Sequence, residues 1–255
     1  MKDTRLMMGM PITVVIVSHD KITQNSVQKT IDEVFDYFKY VDQTFSVYKE
    51  DSEICKINSG LLQIRDACAD VREIFELAEQ TKKQTDGYFD IKNRKGLLDP
   101  SGIVKGWAIF NASKIIEKND FRNYYVNAGG DIQVGGNNEQ GQKWKVGIEN
   151  PFKQGEIVKT VYLSDCGIAT SGTYIRGQHI YNPKNKDEIL NDVASLTIIG
   201  PNVYEADRFS TPCFAMGLPG ISFVEEQKNL EGYIIDNKGV ATMTSGFEQY
   251  TNAKD

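Results

Sequence analysis

Hydrophobic and polar positions change rhythm part-way along the chain. β-Branched residues run almost unbroken over 12–18, which predicts a buried strand ending at the polar His19-Asp20-Lys21. Val27, Ile31, Val34, Phe35, Phe38 and Val41 then recur at helical spacing with charges between them, predicting a helix over 23–43. Phe45-Ser46-Val47-Tyr48 reads as a loop that leads through Ser52-Glu53-Ile54 into a short helix, stopping at Asn58-Ser59-Gly60. A second amphipathic helix is expected over 70–85, with Val71, Ile74, Phe75, Leu77 and Ala78 on its apolar side and Asp86-Gly87 as its stop. A third follows Asp99-Pro100-Ser101-Gly102 and carries Ile103, Val104, Trp107, Ala108, Ala112, Ile115 and Ile116.

Past Asn123 short β-like runs alternate with Gly and Asn turns. Strands are expected over 124–127, 131–134, 144–148, 158–163, 167–171, 195–199, 232–236 and 240–244, with one more helix over 205–216. Helices cluster early and strands late, without regular alternation. That pattern argues for an α+β fold over a doubly wound parallel sheet. No repeat, low-complexity linker or sharp compositional shift divides the chain, so residues 1–255 read as one domain.

Composition narrows the partners. Hydrophobic residues make up 40% and charged residues 25%, ordinary values for a water-soluble globular protein. The net charge of −6 argues against a nucleic-acid binder, which normally carries a basic face, and weakly against a polybasic membrane-surface protein. Cys55, Cys68, Cys166 and Cys213 form no CxxC pair, and only His19 and His179 could join them. A zinc site of Cys and His is therefore not expected. The thiols read as buried and reduced, which suits the cytoplasm. The apolar run over 11–17 is too short to span a bilayer. The alternative location is outside the cell, with a signal segment removed.

Four segments carry candidate chemistry. In Leu98-Asp99-Pro100-Ser101-Gly102-Ile103-Val104-Lys105 an acid, a glycine and a lysine surround a helix start, where backbone N–H groups attract phosphate. On spacing alone, a plain helix cap with a surface lysine is the stronger reading, and the spacing is not that of a Walker A loop. Asn127-Ala128-Gly129-Gly130-Asp131-Ile132 suits either a tight turn near a ligand or an ordinary hairpin. Ala169 to Arg176, followed by His179-Ile180, gathers hydroxyls, an arginine and a histidine. His179 could serve as a base near neutral pH, or be a structural histidine. Finally, Asp207 and Thr211 stand four apart on a helix and face one way. They make either a corner for a hard cation or a capping acid beside a helix threonine.

The order and spacing of these segments resemble the ApbE family of flavin transferases. The resemblance starts at Met8-Gly9 and includes Phe45-Ser46-Val47-Tyr48 with Ser52-Glu53, then Asp86-Gly87-Tyr88-Phe89-Asp90. It continues through the 99–108, 127–132, 169–180 and 206–211 segments, covering nearly the whole chain. It implies a single α+β domain, helices packed on a mixed or antiparallel sheet, related to the T-fold. It implies FAD as substrate and a divalent cation, magnesium with manganese or calcium as alternatives. The family's reaction cleaves FAD to AMP and attaches FMN by a phosphoester bond to a threonine or serine of a target flavoprotein.

By the same resemblance, Asp207, Thr211, the Gly102 carbonyl and Ser210 form the metal set. Met8, Tyr48, Tyr88, Phe89, Asp90, Asp99, Lys105 and Ile180 meet the flavin or its phosphates. His179, Lys105 and Asp207 act in catalysis. The chain departs from the family pattern at Arg208-Phe209, at Pro212 directly after Thr211, at Gly102 in place of alanine, and at Asn182-Pro183-Lys184-Asn185-Lys186. Two rival readings are an FAD pyrophosphatase releasing FMN and AMP, and a flavin-binding protein without activity.

Overall fold

A computed structural model describes residues 1–18, 24–172, 180–185, 190 and 192–252. The first half holds a hairpin, β1 (Lys2–Met7) and β2 (Met10–Val17), then helices α1 (Gln24–Phe45), α2 (Glu53–Asn58), α3 (Ala69–Gln84) and α4 (Ser101–Lys118). The second half runs β3 (Asn123–Ala128), β4 (Asp131–Gly135), β5 (Trp144–Glu149), β6 (Ile157–Leu163), β7 (Cys166–Gly172) and β8 (Val193–Gly200). It ends with α5 (Val203–Ala215), α6 (Gly220–Glu226), β9 (Glu231–Asp236) and β10 (Ala241–Met243).

Among the described residues, eight strands form one sheet in the order β1-β2-β3-β4-β7-β8-β9-β10, and β5 and β6 form a separate two-stranded sheet. Each pairing is antiparallel. The strand alternation decides what each face meets. Ile12, Val14 and Ile16 of β2 point to one side and pack with Phe35, Phe38, Ile103 and Ile109 of α1 and α4. Val15 and Val17 point to the other side, into a cluster with Val146 and Val161 of the β5–β6 hairpin. Farther along the sheet, Leu196, Ile198 and Ile234 pack against Phe209, Cys213 and Phe214 of α5. Both faces are covered, which is why β8 is buried at all eight positions.

The predicted helices lie where expected within a few residues, and α5 continues through Pro212 to Ala215. One strand and one α-helix were not predicted. β1 alternates exposed and half-buried residues at the sheet edge and so has no apolar run to mark it. It is joined to β2 by Met8-Gly9, both at positive φ (52° and 71°), the signature of a tight two-residue hairpin turn. α6 is only seven residues long, too short for a periodic signal. The four thiols are unpaired. Cys166 and Cys213 are buried, but Cys55 and Cys68 are half-exposed, because they lie in α2 and at the start of α3 on the outer layer. No described helix is long and apolar enough to cross a membrane.

The start of α5 is pressed onto the sheet. A Cβ placed on Gly167 of β7 would lie 1.9 Å from the Val203 backbone nitrogen. That nitrogen instead donates to the buried Gln133 Oε1 at 2.8 Å, while Asn202 Oδ1 accepts from Glu205 N at 2.9 Å. Gly167→Ala is expected to destabilise the fold by about 1–3 kcal/mol through overpacking. Urea unfolding checks this: the midpoint falls with the m-value unchanged, whereas an unchanged midpoint would show that α5 does not need this contact.

Candidate functional site

A cleft of about 610 Å³ opens beside the start of α4. One wall is the strip Tyr88-Phe89-Asp90 with Lys92 and Asn93. The floor is the start of α4, with Asp99, Ser101, Gly102 and Lys105. Gly9, Met10 and Pro11 close one side, and Thr170, Ser171 and Gly172 with Ile180, Tyr181 and Pro183 close another. Asp207 and Thr211 of α5 complete it.

Helices α4 and α5 meet closely at this floor. Gly106 makes the approach possible: a Cβ there would lie 2.5 Å from Asp207 Cβ and 2.9 Å from the Val203 carbonyl oxygen. The Gly106 N–H, whose ordinary helical acceptor is the Gly102 carbonyl four residues back, donates to Asp207 Oδ2 at 2.7 Å. Lys105 Nζ lies 2.5 Å from Asp131 Oδ2 and 3.7 Å from Asp207 Oδ1. Asp131 and Asp207 are 1% and 3% exposed, so two acids and one lysine share a nearly dry corner whose formal charge is −1 when both carboxyls are ionised. Asp131 is held by Thr170 N, which donates to its Oδ1 at 3.1 Å.

Burial pushes the Asp207 carboxyl above its ordinary range. The Lys105 ammonium opposes that shift, and the neighbouring Asp131 charge adds to it. Ser210 Oγ donates to the Asp207 carbonyl oxygen at 3.0 Å and lies 2.9 Å from Ser171 Oγ. Thr211 Oγ1 lies 3.4 Å from Ser171 Oγ and faces the cleft.

The structure brings together Tyr88, Phe89, Asp90, Asp99, Gly102, Lys105, Ile180, Asp207 and Thr211 around one space. Ser210 sits one layer behind it, 1% exposed. Met8 occupies the β1–β2 turn beside the lining residue Gly9 and is not itself in the lining. Tyr48 is 92% exposed and outside the lining. His179 lies outside the described residues. Three neighbours were not among the expected site residues. Asp131 was visible only as the acid closing a glycine turn. Ser171 belonged to a hydroxyl-rich strand without a marked role. Gly106 had no signal, since its role is a contact with a helix a hundred residues away.

The donor set fits a hard divalent cation. Asp207, Thr211 and the Gly102 carbonyl offer oxygen only, and the corner has more negative than positive charge. Among the described residues no three acids, histidines or cysteines converge, so such a site would be open and completed by ligand or water oxygens.

Fold and site together define an α+β protein, built on an eight-stranded antiparallel sheet, with a charged cleft floor between two closely packed helices. The chain belongs to the ApbE family, whose model matches residues 8–95 and 92–234. An FAD:protein FMN transferase from Haemophilus influenzae is 26% identical, the alignment covering 97% of this chain and 90% of that protein. One from Salmonella typhimurium is 28% identical over 56% of this chain and 43% of its own length. The fold matches the flavin transferase ApbE from Vibrio cholerae with a TM-score of 0.85 at 20% identity over 98% of each chain. It matches the ApbE protein from Thermotoga maritima with a TM-score of 0.86 at 21% identity over 99% of each.

The raised carboxyl has a consequence for the metal-free protein. A folded-state value above the unfolded 3.8 means that the folded chain binds more proton, so stability falls as pH rises from 3.8 through the weakly acidic range. Asp207→Asn is expected to remove that slope and to be more stable than the parent in EDTA at pH 7.5, by about 1–3 kcal/mol. Denaturant titrations at pH 5 and 7.5 check this, and a less stable variant at pH 7.5 would contradict it.

Proposed function

We propose that this chain is a metal-dependent FAD:protein FMN transferase, working as a single domain. The observation that carries the reading is the Lys105–Asp131–Asp207 corner at the floor of a cleft large enough for a nucleotide, beside the start of α4. Its membership of a family whose named relatives carry that activity supports it.

In this reading the first amides of α4 and the Lys105 ammonium bind the FAD diphosphate. Asp207, Thr211 and the Gly102 carbonyl would hold magnesium, with manganese or calcium as alternatives, and Ser210 braces the Asp207 backbone. A cation held there would supply positive charge to offset the negative charge that grows during displacement at phosphorus. Asp131 holds Lys105 pointed into the corner. Tyr88, Phe89, Asp90 and Ile180 pack the flavin half, with Asp99 at the helix start. Met8 and Tyr48 belong to this set only if the ligand extends beyond the described lining.

The acceptor is a threonine or serine hydroxyl of a target flavoprotein. Its oxygen bonds to the phosphorus of the FMN half, the bond to the AMP oxygen breaks, and His179 takes or orients the hydroxyl proton. Water in place of the hydroxyl gives FMN and AMP. We place the protein in the cytoplasm.

Product analysis tests the reading. With FAD, magnesium and a threonine peptide, the peptide is expected to gain the mass of an FMN moiety as AMP appears. AMP with free FMN alone would make the protein a pyrophosphatase, and no AMP would make it a flavin binder. Asp207→Ala is expected to abolish metal-dependent AMP release while keeping the native circular dichroism spectrum. Lys105→Ala is expected to lower kcat/KM for FAD about 100-fold. An unchanged value in either variant removes that residue from the mechanism. Magnesium is expected to raise Tm more at pH 8 than at pH 5, because a proton on Asp207 competes with the cation. An equal rise at both would place the cation elsewhere.

A further inference from the structure

Residues 92–98 make a small hairpin on the rim of the cleft. Lys92 and Leu98 form its bridge, and Asn93 N donates to the Leu97 carbonyl at 2.8 Å. Asn93 Oδ1 accepts from Lys95 N and Leu97 N, which fixes the tip. Asn58 clamps the base, accepting from Leu98 N at 2.8 Å and donating to its carbonyl at 2.9 Å. The hairpin is also tied to the opposite wall. Tyr181 Oη donates to the Lys92 carbonyl at 2.5 Å, and the Arg94 guanidinium lies 5.1 Å from the Tyr181 ring centre.

The composition of this hairpin is unlike that of the rest of the molecule. It carries Lys92, Arg94 and Lys95 with no acid between Ile91 and Asp99, in a chain of net charge −6. Among the described residues no acid lies within ion-pair distance of any of the three ammonium or guanidinium groups; the nearest acid along the chain, Asp90, accepts from the Lys92 backbone N–H at 2.9 Å and is paired with Lys82. Leu97 beside them is 46% exposed. The two segments of the family match, 8–95 and 92–234, overlap on this hairpin.

We infer that the 92–98 hairpin is the docking element for the acceptor protein, and that it selects an acidic segment flanking the target threonine or serine. This rests on the transferase reading above. An acidic enzyme repels an acidic partner at long range, and a local reversal of charge at the mouth of the cleft overcomes that repulsion where the hydroxyl must enter. Lys95 and Leu97 lie outside the lining of the cleft, so they face an incoming chain and not a nucleotide on the floor. A cationic tip with one exposed leucine suits a polypeptide segment that brings both carboxylates and an apolar side chain.

The test uses the full chain loaded with FAD and magnesium and three fluorescein-labelled peptides sharing one threonine. Their flanks are aspartate and glutamate, lysine, or glycine and serine. The acidic peptide is expected to bind roughly tenfold tighter than the neutral one at low salt, with the advantage shrinking as salt rises. Arg94→Glu with Lys95→Glu is expected to reverse the order of acidic and basic peptides and to leave AMP release without peptide unchanged. If that double variant folds poorly, Lys95→Glu at its exposed position carries the same test.

Equal affinities for the three peptides, or an order unchanged in the variant, would overturn the inference. FMN transfer to all three peptides alike would do the same while leaving the transferase reading intact. A hairpin-dependent preference for the acidic peptide without any gain of FMN mass would support the docking element and sink the transferase reading.

Discussion

The site depends on an electrostatic constraint: two buried carboxylates, Asp131 and Asp207, share a single lysine. Such a corner is unfavourable by itself, since removing charges from water costs more than one ion pair returns. It persists because the surrounding structure holds it from three directions. Thr170 N donates to Asp131, Gly106 N donates to Asp207, and Lys105 bridges the two. A deficit of positive charge in an oxygen-lined corner is what a divalent cation and a phosphate chain together can complete.

The fold supplies the three contributors from distant parts of the chain. Lys105 and Gly106 come from the first turns of α4, Asp131 from the start of β4 after a glycine turn, and Asp207 from α5. Their meeting requires that α5 lie tightly on β7 and on α4, and Gly167 and Gly106 remove the side chains that would hold them apart. Gln133, two residues beyond Asp131, fixes the first amide of α5. The strand that carries one acid therefore also positions the helix that carries the other.

Much of this architecture was legible in the residue pattern, because burial on one helix face or on alternate strand positions leaves a periodic trace. Helices α1, α3, α4 and α5 and most central strands left such a trace. The edge strand β1 did not, since neither of its faces is deeply buried. The candidate site was legible where chemistry and helical spacing coincide, as at Asp207 and Thr211. It was not legible where a role arises only from long-range contact. Gly106 is an unremarkable helix glycine until Asp207 packs on it, and Asp131 looks like a turn acid until Lys105 reaches it. Tyr48 shows the converse: an aromatic in a family-like segment that stands 92% exposed, away from the described lining.

The placement of the cation is the centre of the account, and a crystal grown with FAD and manganese addresses it most directly. The anomalous difference map is expected to show one peak at about 2.2 Å from an Asp207 carboxylate oxygen and from Thr211 Oγ1, with the diphosphate beside it. A dinucleotide seated in the cleft with no anomalous peak at those two oxygens, or a peak elsewhere in the molecule, would contradict it.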